Sequence, residues 1–96
     1  MRLANRYRIE EFIQEHPRAE KPLKLWMKMI KDHSFSHFLD LKQVFSSVDY
    51  VKPFVIFDIG GNKYRLIGAA DYKMGVLSVN SVVTHEEYDR GKWRIR

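Results

Sequence analysis

The fold of this chain is decided by one segment, Phe54-Val55-Ile56-Phe57-Asp58-Ile59-Gly60-Gly61-Asn62-Lys63-Tyr64-Arg65-Leu66-Ile67. Phe54 to Ile59 is rich in aromatic and β-branched residues, which favours a strand. Gly60-Gly61-Asn62 is typical of a turn, because Gly and Asn adopt positive φ at low cost. Tyr64 to Ala70 is interpreted as the returning strand. The segment therefore predicts an antiparallel hairpin.

The pattern continues towards the C-terminus. Asp71 to Gly75 predicts a second turn, and Val76 to Val83 predicts a third strand. Thr84-His85-Glu86-Glu87 has the form of a capping box, in which a Thr hydroxyl and a Glu carboxylate satisfy each other's backbone amides. We expect a short helix to follow and to end at Gly91. The second half is thus a meander closed by a short helix.

The N-terminal half has helical periodicity instead. Apolar residues recur from Ile9 to His16 with helical spacing, and Pro17 predicts the end of that helix. A second helix is predicted to start near Glu20, with Pro22 tolerated in its first turn. Its apolar face is formed by Leu23, Trp26, Met27 and Ile30. The opposite face carries Lys21, Lys24, Lys28 and Lys31, which we interpret as a solvated face.

The remaining segments give weaker signals. His33 to His37 is predicted to be a loop, and Asp40 is predicted to cap a short helix. Ser46 to Lys52 is predicted to be irregular, and Met1 to Asn5 to add a short edge strand. We therefore predict that residues 1–96 form a single α+β domain: a small antiparallel sheet with two N-terminal helices on one face and a short C-terminal helix. We expect the other face of the sheet to be free.

Composition limits the functions open to the chain. Its 96 residues include no Cys, which excludes a disulfide framework and a Cys nucleophile. The longest apolar run, Phe54 to Phe57, is far too short to span a membrane, and residues 1–13 lack a secretion signal. We therefore predict a cytoplasmic protein. The net charge of +5 favours nucleic acid or an acidic protein as partner, although basicity for solubility alone is also common.

Polar residues of the second half are the candidates for chemistry. Asn62 and Lys63 lie at the predicted turn, Arg65 on the strand after it, and His85 and Tyr88 just beyond the last strand. Spacing alone leaves open whether His85 reaches the face of Arg65, and each residue has an ordinary structural interpretation. The sequence contains no convincing metal motif, dinucleotide fingerprint or phosphate-binding loop, so we expect no metal or other cofactor.

The chain resembles the HigB family of toxins from type II toxin–antitoxin modules. The resemblance is carried by the hairpin segment quoted above, by Thr84-His85-Glu86-Glu87-Tyr88-Asp89 with Trp93, and by the His16-Pro17 and Pro22-Leu23-Lys24 patterns. It implies a RelE-like fold and an mRNA interferase that cuts messages, typically on the translating ribosome. It also implies a cognate helix-turn-helix antitoxin, HigA-like, as partner.

Metal-free RNA cleavage of the kind that the resemblance implies needs charge and proton exchange beside one phosphate. Arg65 is the first candidate for a phosphate clamp, and Lys63 is a second cation or a base. His85 is the candidate general acid or base, and Tyr88 the candidate for stacking or for donating its hydroxyl. Asn62 is a candidate RNA contact. The assignment of acid and base between Lys63 and His85 stays open.

One position departs from the family pattern. Asn80 stands where a basic residue is usual, so it offers RNA a hydrogen bond but no charge. Lys73 and Lys92 are candidates to supply the missing charge as RNA contacts. The departure keeps a second hypothesis open, a toxin-fold protein that binds RNA or an antitoxin without cleaving. A third is a small basic interaction domain unrelated to RNA.

Overall fold

A computed structural model describes residues 1–91 and 93, and it contains a five-stranded sheet in the order β1-β5-β4-β3-β2. The strands are β1 (Arg2–Ala4), β2 (Asp49–Val51), β3 (Phe54–Ile59), β4 (Tyr64–Asp71) and β5 (Val76–Thr84). The α+β class and the three-stranded meander are confirmed. The helices are α1 (Tyr7–Glu15), α2 (Glu20–Asp32), α3 (Phe38–Val44) and α4 (His85–Arg90), with a 3₁₀ turn over Pro17–Ala19.

Two edges of the sheet differ from expectation. β1 forms, but it runs parallel to β5, so the sheet is mixed and the prediction of a purely antiparallel sheet is wrong at this edge. No hairpin turn sets its direction, because most of the chain lies between β1 and β5. The prediction that Ser46 to Lys52 is irregular is also wrong, since β2 pairs with β3 at the other edge. A three-residue strand is too short to show a periodicity of its own.

The helices begin and end largely where local chemistry predicts. His16, with φ −132°, leaves helical geometry before Pro17, and α2 starts at Glu20 with Pro22 in its first turn. α3 begins earlier than predicted, because Asp40 lies inside its first turn rather than at its cap. The Asp40 carboxylate instead accepts a hydrogen bond of 2.7 Å from the backbone amide of Ser36.

The main core lies between one face of the sheet and three helices, α1, α2 and α3. Phe57 is at its centre, with its ring 5.1 Å from the rings of both Trp26 and Phe45 in edge-on contact. Leu66 and Leu77 from β4 and β5 are fully buried in the same cluster. The lysine face of α2 is exposed, as predicted. No helix in the described part of the chain is long and apolar enough to cross a membrane.

The opposite face of the sheet is not free, which corrects the prediction. Ile56, Ile67 and Trp93 form a second apolar cluster there, and Tyr88 of α4 packs against it. The indole Nε1 of Trp93 donates a 3.0 Å hydrogen bond to the backbone carbonyl of Tyr88. The segment after β5 therefore folds back over this face and covers part of it.

A bulge interrupts the pairing of β4 with β5. Ile67 pairs with Ser81 and Gly68 pairs with Val79, so Asn80 is one extra residue without a partner in β4. The bulge lies at the middle of both strands. Beyond it the ladder resumes and reaches the last residue of β5.

Candidate active site

The turn between β3 and β4 meets the start of α4 at one end of the sheet. Tyr64 at the start of β4 pairs with Thr84 at the end of β5. One residue outward from that pair, the backbone amide of His85 donates a 2.9 Å hydrogen bond to the carbonyl of Lys63. The backbones of Lys63 and His85 are therefore fixed as neighbours.

The predicted capping box is present and fixes the start of α4. The Glu87 amide donates to the Thr84 hydroxyl at 3.2 Å, and the Thr84 amide donates to the Glu87 carboxylate at 2.9 Å. Gly91, with φ 73°, ends the helix as predicted. His85 occupies the first helical position, and its side chain is 47% exposed with Nε2 3.5 Å from the Asp89 carboxylate. The imidazole is thus held by a rigid backbone and remains open to solvent.

Arg65 is 8% exposed and is bound by the protein itself. Its Nη1 donates to the backbone carbonyls of Asn62 at 3.1 Å and Tyr64 at 3.2 Å, and its Nη2 donates to the Asn62 side-chain oxygen. Its Nε lies 3.0 Å from a carboxylate oxygen of Asp58, the residue opposite Arg65 on β3. The guanidinium therefore makes three hydrogen bonds and one ion pair within the protein.

These contacts hold the turn in a conformation that few residues adopt. Gly60, Gly61 and Asn62 all have positive φ, at 65°, 62° and 79°. Such geometry is cheap for Gly and tolerated by Asn. Because Arg65 binds both oxygens of Asn62, it fixes the residue directly before Lys63. The network makes Arg65 a brace for the turn as well as a cation close to it.

The ring of Tyr88 is engaged on the protein side. The guanidinium carbon of Arg65 lies 5.4 Å from its centre, within the range of a cation–π contact. The indole of Trp93 stacks on the same ring with centroids 5.0 Å apart and planes at 9°. Tyr88 is half-buried, so these contacts link α4 to β4 and reduce the ring area open to a base.

The other predicted RNA contacts do not join this group. Lys73 lies in the turn after β4, whereas Lys63 precedes β4, and the eight residues of β4 span about 26 Å. Asn80 lies in the bulge, four residues before Thr84, or about 13 Å along β5. Its side-chain nitrogen is buried and has no hydrogen-bond partner among the described residues. Lys92 lies outside the described residues.

Two contributors were missed by sequence reasoning. Asp58 anchors Arg65, and the signal was a single carboxylate in an otherwise apolar strand, two positions before the turn. Trp93 supports Tyr88, and nothing in its spacing predicted that contact. The site also carries acidic residues beside its cations, since Glu86, Glu87 and Asp89 all lie on α4. In the described ranges, 1–91 and 93, no three His, Asp or Glu side chains come together as a possible metal site.

Comparison with known proteins agrees with this architecture. Residues 19–91, more than half of the chain, match the family described as HigB_toxin, RelE-like toxic component of a toxin-antitoxin system. The "mRNA interferase toxin HigB" of Escherichia coli (strain K12) is 26% identical over 92 residues, covering 93% of this chain and 88% of that protein. The "mRNA interferase HigB" of Shigella flexneri has the same identity and coverage. The "mRNA interferase HigB" of Escherichia coli O6:H1 is 25% identical over 93 residues, covering 94% of this chain and 90% of its own. The chain therefore belongs to the HigB family, the RelE-like toxic components of toxin–antitoxin systems.

Proposed function

We propose that this toxin is an mRNA endoribonuclease that acts in the cytoplasm and cleaves without a metal. The names of its relatives support the substrate class, since each is called an mRNA interferase. The observation that carries the proposal is the hydrogen bond that fixes His85 beside Lys63. It makes neighbours of the backbones of two exposed residues that are far apart in sequence, one carrying an imidazole and the other an ammonium group, and Arg65 follows Lys63 by two residues.

RNA supplies its own nucleophile for such a reaction. The 2′-oxygen attacks the adjacent phosphorus as its proton passes to a base. The bond from phosphorus to the 5′-oxygen then breaks, and that oxygen receives a proton. The products are a 2′,3′-cyclic phosphate and a free 5′-hydroxyl, so atoms and charge balance without a redox partner. A positioned acid or base contributes about 10²–10⁴-fold to such a step.

The side chains at this corner match those requirements. His85 is exposed and held by its backbone, and an imidazole exchanges protons near neutral pH. Lys63 is an exposed cation beside it, suited to bind a phosphate oxygen or to exchange the second proton. Arg65, two residues after Lys63, adds positive charge that its ion pair with Asp58 partly offsets, and such charge stabilises a phosphorane-like transition state most where water is scarce. The roles of acid and base are divided between His85 and Lys63.

The test is cleavage of a defined message by the purified protein in a reconstituted translation reaction, with His85→Ala and Lys63→Ala as variants. Lys52→Ala is the matched control, because Lys52 is an exposed lysine outside this corner. We expect His85→Ala to lose at least about 10²-fold in rate and the control to keep full activity. A His85→Ala protein that cleaves at the rate of the parent would refute the proposal.

We further propose that cleavage takes place on translating ribosomes and that a helix-turn-helix antitoxin, HigA-like, neutralises the toxin. Membership of a toxin–antitoxin family supports an antitoxin partner. The same message should be tested free and in a reconstituted translation reaction. Faster cleavage in the translation reaction is expected, and equal cleavage of free message would overturn the ribosomal part alone.

A second candidate function is binding without cleavage. It is favoured by the Arg65 network, which leaves few N–H groups of that residue for a phosphate, and by the lack of charge on Asn80. This alternative predicts RNA binding that weakens steeply with salt and no cyclic phosphate product. Detection of a 2′,3′-cyclic phosphate end that disappears in His85→Ala excludes it.

A further inference from the structure

A groove of about 1060 Å³ lies at the end of the sheet opposite the candidate active site. It is bounded by β1, by the second half of α2 and by the turn between β4 and β5, which includes Lys73. The length of β4, about 26 Å for its eight residues, separates this turn from the turn that carries Lys63. The groove is therefore a separate surface from the corner of Lys63 and His85.

The groove is strongly cationic. Six of its lining side chains are Lys or Arg, and one, Asp32, is acidic. Lys28 forms a 2.6 Å ion pair with Asp32, and Lys24 forms one of 3.1 Å with Glu20. The other four cations have no ion-pair partner within residues 1–91 and 93; they are Arg2, Arg6, Lys31 and Lys73. Unpaired cations at this density favour a ligand with several negative charges.

Apolar side chains lie between these cations. Met1, Leu3 and Met27 are partly buried against the main core and contribute to the lining. Met74 stands at the edge with 69% of its surface exposed. Flexible thioether side chains adapt to apolar partners of different shapes. The groove thus combines a basic rim with a floor that can bury apolar side chains.

This combination favours a protein segment over RNA. Proteins hold single-stranded RNA by stacking its bases on exposed aromatic rings, in addition to contacting phosphates. The two aromatic residues of the groove do not serve this way, since Phe35 is buried and Tyr72 packs against the core. Methionine side chains have neither charge nor hydrogen-bond donors for a phosphate, but they can bury the leucine or valine side chains of a peptide.

We infer that this groove binds an acidic segment of a partner protein that also presents apolar side chains. Within the proposed function the antitoxin supplies that segment, and this identification rests on the proposed function. The bound segment would lie about the length of β4 away from His85 and Lys63. An occupant confined to the groove would leave the corner of His85 uncovered.

The test is fluorescence anisotropy with a labelled synthetic peptide of glutamate and leucine as the probe. The groove variant is Arg6→Glu/Lys31→Glu, and the matched control is Lys21→Glu/Lys52→Glu, which makes the same change in net charge on exposed residues outside the groove. We expect the groove variant to bind the probe about tenfold more weakly and the control to change by less than about twofold. A probe with serine in place of leucine should bind more weakly to the parent protein.

Other results would overturn the inference. Equal losses in the two double variants would mean that net charge, not the groove, holds the probe. Failure of the parent protein to bind the peptide would also overturn the inference. So would binding of a uridine oligonucleotide to the parent protein that is lost in the groove variant. RNA cleavage by the groove variant is measured in parallel and should match the parent, so failure of the proposed nuclease activity is seen separately.

A second measurement does not depend on the folding of a variant. Methyl NMR signals of Met27 and Met74 in the parent protein should shift when the peptide is added, because both side chains line the groove. Met29 on the same helix does not line it and is the internal control. Shifts at Met29 alone, or at none of the three, would contradict the inference.

Discussion

Replacing Arg65 with Ala should destabilise the protein more than any other single change at the candidate site. The guanidinium makes three hydrogen bonds to Asn62 and Tyr64, and each is worth about 1 kcal/mol where its acceptor is partly solvated. The ion pair with Asp58 adds no more than about 1 kcal/mol, because the Asp58 side chain is 32% exposed and water can hydrate it. The expected loss is about 3 to 4 kcal/mol, a large part of the 5–15 kcal/mol typical of a domain.

Urea unfolding followed by circular dichroism measures this loss as a change in the free energy of unfolding. The matched control is Arg90→Ala on α4, an exposed arginine whose nearest carboxylate oxygen, on Glu86, is 3.9 Å away. We expect the control to change stability by less than about 0.5 kcal/mol. A loss below about 1 kcal/mol for Arg65→Ala would refute the view that Arg65 braces the turn.

The double variant Asp58→Ala/Arg65→Ala separates the ion pair from the hydrogen bonds. Asp58→Ala alone leaves a buried guanidinium without its carboxylate. The double variant should therefore be more stable than the sum of the two single losses implies, by about 1 kcal/mol. Additive losses would show that the two side chains do not interact.

Arg65→Lys tests positioning in the same series, since it keeps the charge and loses the fork that binds Asn62. RNA cleavage should fall with Arg65→Lys, and full activity would mean that charge alone is needed.

Thr84→Ala should destabilise the protein by about 1 kcal/mol, because the Glu87 amide loses its acceptor, while Thr84→Ser should retain most of the stability. Urea unfolding measures both variants, and a Thr84→Ala protein as stable as the parent would contradict the role of Thr84 as helix cap. Gly60→Ala should cost about 1 kcal/mol or more, since Gly60 has φ 65° and the added methyl would lie 3.4 Å from Pro22. A melting temperature for Gly60→Ala equal to that of the parent protein would contradict this prediction. Burial raises the pKa of the Tyr72 phenol above its usual 10.0, so its contribution to stability is complete below pH 10 and is lost as pH rises through the higher folded value. Tyr72→Phe should therefore flatten stability against pH above 10, and an unchanged alkaline profile would contradict the assignment.

Local signals predicted most of the fold, and contacts between distant segments account for the rest. Phe54–Ile59 and the cap at Thr84 were correct because strand composition and capping chemistry depend on adjacent residues. β2 was missed because its pairing with β3 depends on tertiary context.

At the candidate site, the sequence suggested candidate residues but not their arrangement. Lys63 and His85 meet through a backbone contact between residues 22 positions apart, which no spacing rule predicts. Arg65 was expected to bind phosphate, and its bonds to Asn62 became visible only once the turn geometry was known. Lys73 was grouped with them on charge alone, which carries no information about position along β4.

The extra residue in β5 frees one position from the constraints of the strand. Val79 packs with the helices, and Ser81 pairs with Ile67 of the opposite cluster, so the two flanking residues already face opposite sides. A chain lacking Asn80 would keep that alternation, and α4 would emerge on the same side of the sheet. Deleting this residue would therefore regularise the pairing of β4 with β5 without rotating His85 away from Lys63.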